Sequence, residues 1–162
     1  MRLRLNKRKG FSLIELLIVV TIILIIAAIA IPNLMRNKIQ ANETSAVQSL
    51  RALNESALLY SNSYGGFPHA ISELGPAASG TQASSANADL IDSVLSSGVK
   101  AGYRFAYMPG TADPAGHVLT YAIVATPLAP GSSGQRSFYT DQSGTLRNTS
   151  SGTADSNSAP IG

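Results

Sequence analysis

Residues 11–31 read F-S-L-I-E-L-L-I-V-V-T-I-I-L-I-I-A-A-I-A-I, 21 positions with Glu15 as their sole charge. As a helix rising about 1.5 Å per residue they extend about 32 Å, close to the roughly 30 Å of a bilayer hydrocarbon core. A chain with such a segment must place it in lipid or against other apolar surface, and a membrane span is the direct reading. Five of the 12 basic residues, Arg2, Arg4, Lys7, Arg8 and Lys9, precede it. Beyond position 10, seven Lys and Arg face nine Asp and Glu, so the net charge moves from +3 to −2. The basicity therefore belongs to the N-terminal tip, and no nucleic-acid partner is expected. The same block outweighs Arg36 and Lys38 on the far side, which orients the N-terminus toward the cytoplasm. A secretory signal peptide fits less well. Its apolar region spans about 7–15 residues and ends at a small-residue cleavage site, whereas this one is longer and continues through Pro32 into another helical pattern.

Over residues 32–64 the apolar positions Ile39, Val47, Leu50, Leu53, Ala57, Tyr60 and Tyr64 recur at threes and fours, with Gln40, Glu43, Gln48 and Arg51 between them. This predicts an amphipathic helix that stops near Gly65 and Gly66, before Phe67 and Pro68. Pro32 has no N–H and its ring crowds the carbonyl of Ala28, so the expectation is one helix with a kink or loosened turn. The alternative is two helices, the second capped by Asn33. A globular head follows over residues 65–147. Its first part, rich in Gly, Ser, Ala and Pro, predicts surface loop with one short helix around Leu90, Ile91, Val94 and Leu95, capped by Asn87 and closed by Gly98. Strand signals come next: Tyr103, Phe105 and Tyr107 alternate with smaller or polar neighbours, and residues 118–126 are rich in β-branched side chains. A hairpin is expected from residues 136–140 and 145–147 around a turn at 141–144. Three to four antiparallel strands result, giving an α+β fold in which a long N-terminal helix packs on a C-terminal sheet. Residues 148–162, rich in Ser, Thr and Asn, are expected to form a flexible tail.

Gly10-Phe11-Ser12-Leu13-Ile14-Glu15, set behind a short basic leader and before an apolar run broken by Pro32, resembles the N-terminus of type IV prepilins and related pseudopilins. The specific likeness covers about the first 35 residues, and the later stretch F-Y-T-D-Q-S-G-T-L-R is similar to the last hairpin of such proteins. The resemblance implies a leader of residues 1–10, cut after Gly10 by a membrane-embedded prepilin peptidase that also methylates the new amine of Phe11. It implies that Glu15 pairs with that amine on a neighbouring subunit, and that Glu15 and Pro32 serve assembly. The partners implied are other copies of the chain in a helical filament, the peptidase, the inner membrane before assembly, and an inner-membrane assembly platform. The function implied is a structural subunit of an extracellular pilus of the adhesion or motility type. The alternative is a major pseudopilin of a type II secretion system. Two departures stand out: the chain lacks the cysteine pair many pilins carry, and no glycine lies between Phe11 and Pro32.

Glu15 is informative on physical grounds as well. A carboxylate inside a span costs about 2.5–3.5 kcal/mol on insertion scales, which calls for a partner or a role, although a position near the edge of the apolar run lets it reach the headgroups. Catalysis and cofactors are not expected. The absence of cysteine removes thiol nucleophiles and thiolate metal sites. His69 and His117 are isolated in sequence and read as solvated loop residues, and neither a phosphate-binding glycine loop nor a serine elbow is present.

Overall fold

The computed structural model describes residues 10–161 and divides into two compact units, Met1–Asn37 and Lys38–Gly162. The basic block expected over residues 1–9 lies outside the described residues. Helix α1, Leu13–Tyr64, runs through both units without a break at Pro32. Asn33 does not cap a second helix; its side-chain amide donates to the carbonyl of Ile29 at 3.3 Å, one turn back. At the other end Gly65 adopts φ +83° and its N–H reaches the Ser61 carbonyl at 2.9 Å. A side chain is strained in that left-handed conformation, so the expected glycine stop is realised.

Within Lys38–Gly162, Ala46, Leu50, Leu53, Ala57 and Tyr60 are buried on one face of α1. They share a core with Tyr103, Phe105, Ile123, Ala125 and Phe138 from the sheet. The sheet has six strands in chain order, each antiparallel to the next: β1 Val99–Lys100, β2 Tyr103–Pro109, β3 Tyr121–Pro127, β4 Ser137–Asp141, β5 Arg147–Thr149 and β6 Ala159–Pro160. Phe105, Ala125 and Phe138 lie opposite one another across β2, β3 and β4, and the two-residue alternation brings Tyr103 and Ile123 to the same side. Two strands more than expected are present because β1 and β6 are two residues each, too short to show an alternating pattern. The hairpin turn falls where expected, but β4 pairs with Arg147–Thr149, later in the chain than residues 145–147.

Two further readings are corrected. The short helix α2 is Ser93–Ser96 and its cap is Asp92, whose Oδ1 accepts from the Leu95 N–H at 2.9 Å; Asn87 instead bridges to Ser84. The flexible tail expected over residues 148–162 is built into the sheet. Most of β5 and all of β6 lie in it. Ser137 Oγ donates to the Gly152 carbonyl at 2.9 Å and accepts from the Ala154 N–H at 2.8 Å, and Ala154 is buried. Composition misled here because backbone pairing and one small side chain hold this segment, with few large apolar groups.

The unit Lys38–Gly162 contains its own core, so as an isolated fragment it is expected to be a soluble monomer with mixed helix and strand by circular dichroism. Ending it at Arg147 instead removes most of β5, β6 and Ala154, and should lower the melting temperature by about 5 °C or more. Equal melting of the two fragments would refute a structural role for the C-terminal segment.

Candidate functional site

The residues singled out from sequence sit at the start of α1. Gly10, Phe11 and Ser12 precede the helix, and Phe11 is 79% exposed. The helix begins at Leu13, and the carbonyl of Ser12 accepts its first bond, from the Leu16 N–H at 3.2 Å. Ser12 therefore stands at the N-cap position and Glu15 three residues on, in the first turn. That S-x-x-E spacing is a recognised helix-start pattern, a signal in the sequence that the hydropathy reading passed over. A carboxylate there is favoured by the positive end of the helix dipole. Glu15 is exposed and forms no ion pair among the described residues.

The apolar run that follows is uncovered on every side. Leu13 is 81% exposed and Val20, among the least exposed of its large residues, still 46%. By length and composition this part of α1 is able to cross a membrane. Thr21, its one hydroxyl beyond Ser12, donates to the Leu17 carbonyl at 2.8 Å, which satisfies the side chain without water. Pro32 is exposed within the helix. Gly10 has open space around it: a Cβ there would meet nothing within 4 Å, and its backbone does not require glycine.

The head places the remaining sequence candidates differently. His69 and His117, 48 positions apart, line one cleft together with Tyr60 and Tyr64. Each faces the carboxylate of a residue four away, His69 Nδ1 at 3.8 Å from Glu73 and His117 Nδ1 at 3.4 Å from Asp113. Among the described residues no group of three or more His, Cys, Asp or Glu is arranged to hold a metal ion. Glu43, assigned by periodicity to the polar face, is instead 6% exposed. Its Oε1 accepts from the N–H groups of Gln135 and Arg136 at 2.9 and 3.1 Å, and its Oε2 from Arg136 Nε at 2.8 Å. One residue earlier, Asn42 Nδ2 donates to the Ser133 carbonyl at 2.8 Å. Together these fasten the β3–β4 loop to α1. Burial alone would raise the Glu43 carboxyl, but the three donors outweigh it and hold it below its ordinary value of 4.5.

Comparison with known proteins bears on the helix start. The family model for the prokaryotic N-terminal methylation motif matches residues 5–31. The N-terminal segment is thus similar to that of type IV pilins and pseudopilins. Among individual proteins, the type II secretion system core protein G of Escherichia coli is 38% identical over 55 residues, covering 34% of this chain and 38% of that protein. The type IV major pilin protein PilA of Myxococcus xanthus is 51% identical over 51 residues, 31% of this chain and 23% of the other. The type IV wide pilus major component PilA4 of Thermus thermophilus is 55% identical over 40 residues, 25% of this chain and 30% of that one. The chain thus matches less than half the length of these relatives, and both pilins and secretion proteins occur among them. No solved structure matches it. The pilin-type likeness is concentrated in the helix that carries Glu15 and the apolar run, while the α+β head has the long helix and antiparallel sheet expected of the pilin fold.

Proposed function

We propose that the chain is a structural subunit of an extracellular type IV pilus filament, assembled from an inner-membrane pool after a prepilin peptidase has removed the leader. The observation that carries this reading is an apolar helix uncovered on all sides, with a single carboxylate in its first turn. Before assembly residues 13–31 face lipid, with the N-terminus on the cytoplasmic side. Once extracted, the same surface needs other apolar surface, since contact with water costs about 25 cal/mol for each Å². Copies of the same helix supply it, and a repeated heterologous contact whose rotation does not close gives an open helical polymer.

Glu15 and Phe11 explain each other in this scheme. Cleavage after Gly10 leaves a positive amine on Phe11, at the positive end of the helix dipole, where a cation is disfavoured. A carboxylate from a neighbouring subunit compensates it, and burial makes the pair sensitive to register because either charge alone is poorly solvated. Gly10 has no structural task in the described chain, which suits a residue selected for passage through a protease cleft. Its role, like those of Phe11, Glu15 and Pro32, belongs to processing and assembly rather than catalysis.

A second reading, a major pseudopilin of a type II secretion system, is favoured by the similarity to core protein G. Electron microscopy of sheared surface material, with mass spectrometry of its subunit, separates the two. Long external filaments made of this chain support the pilus; their absence, with loss of protein export on deletion, supports secretion. The intact mass of the mature subunit is expected to begin at Phe11 and carry one methyl group. Gly10→Leu should leave uncut precursor in the membrane, and filaments whose subunits retain residues 1–10 would defeat the processing scheme.

A further inference from the structure

A cleft of about 380 Å³ lies in Lys38–Gly162 between α1 and the segment leading through α2 to β1, away from every residue assigned to processing and assembly. One wall is polar: Ser45, Gln48 and Ser49, spaced so that they share a face of α1. None of the three side chains makes a hydrogen bond among the described residues, and although Ser49 as a residue is only 5% exposed, its hydroxyl is not sealed from solvent: the one buried side-chain polar atom without a partner among the described residues is Tyr107 Oη. The donors and acceptors of Ser45, Gln48 and Ser49 are therefore left to water or to a ligand, at a cavity within the size range of small-ligand sites. The facing wall is aliphatic, formed by Leu90, Ile91 and Leu95, with Ala52 beside them. At the rim Lys100 Nζ lies 2.9 Å from Asp92 Oδ2, both side chains partly exposed.

These features select a ligand. One cation and one anion in the lining give it no net charge, which disfavours simple anions and simple cations alike. No aromatic ring lines it, so it offers no stacking surface for a base or sugar. The ammonium and the carboxylate are adjacent, so a ligand that meets both must carry its own two charges side by side. An α-amino acid does this, with both groups on one carbon. Opening the Lys100–Asp92 pair costs little, because exposed pairs contribute little to stability.

We propose that this cleft binds a free aliphatic α-amino acid, its carboxylate on Lys100, its ammonium on Asp92, its side chain against Leu90, Ile91 and Leu95. The hydroxyls of Ser45 and Ser49 and the Gln48 amide complete its hydrogen bonding. The test of this site needs no assembled fibre, so its failure is distinguishable from failure of the filament reading. L-Leucine is titrated onto the full chain in detergent micelles and followed by saturation-transfer NMR and calorimetry, beside leucinamide, which lacks the carboxylate, and isocaproate, which lacks the amine. Leucine should bind saturably, and each analogue about tenfold more weakly. Lys100→Gln should weaken leucine by a similar factor. Asp92→Asn, which keeps an oxygen for the Leu95 N–H, should do the same. Ser49→Leu should fill the cleft and abolish binding, with circular dichroism reporting that each variant is folded; should it misfold, Lys100→Gln decides. No saturable leucine binding, equal binding by the wild type and Lys100→Gln, or leucinamide binding as tightly as leucine would each overturn the proposal.

Discussion

Glu15→Ala is expected to abolish filament assembly, or reduce it to a few per cent, while membrane insertion and cleavage after Gly10 continue. Removing the only charge from residues 11–31 makes the span more apolar, so insertion should be unchanged or improved. The cut lies five residues before the altered position. Assembly is different, because each incoming Phe11 amine would enter an apolar surrounding with no carboxylate to meet. An uncompensated buried charge costs about 3–5 kcal/mol, and every subunit would repeat the loss. Glu15→Gln separates charge from hydrogen bonding: nearly as damaging if charge matters, mild if one hydrogen bond suffices. Immunoblots of membrane pool and sheared surface fraction for the wild type and both variants measure this. A wild-type filament yield from Glu15→Ala would remove Glu15 from assembly and leave it an interfacial carboxylate.

Glu43→Ala should be among the most destabilising single changes in the head, at about 2–3 kcal/mol in urea denaturation of the Lys38–Gly162 fragment. The substitution strands the N–H groups of Gln135 and Arg136 and frees the Arg136 guanidinium, which loosens the β3–β4 loop from α1. The figure stays below that for a fully buried pair because the Arg136 side chain is partly exposed. The effect should also depend on pH. The folded carboxyl sits below its ordinary value of 4.5, so the unfolded chain takes up the proton first as pH falls. Its contribution is therefore complete above the unfolded value and is lost as pH falls through the folded one. Wild type and Glu43→Gln should differ at neutral pH and converge in acid. Parallel stability curves from neutral to strongly acid pH would show that the carboxylate contributes nothing through its charge.

Periodicity and hydropathy were enough, in the sequence alone, to set the long helix, its glycine stop, the apolar span and the class of the fold. These depend on spacing along the chain: 21 apolar positions match a bilayer wherever they occur, and a helix repeating at threes and fours must bury that face. The methylation motif was legible for the same reason, since it is contiguous. What only the tertiary structure decided are the features made by residues distant in sequence. Glu43 looks like a surface residue by its place on the helix, and only the return of Gln135 and Arg136 turns it into a buried acceptor. His69 and His117 come to one cleft, and Ser49 is left facing another, through loops whose course no periodicity encodes. The C-terminal segment shows the same limit most plainly. Its Ser and Thr residues carry no pattern of burial, but backbone N–H and C=O groups are alike in every residue, and strand pairing needs only a partner at the right distance.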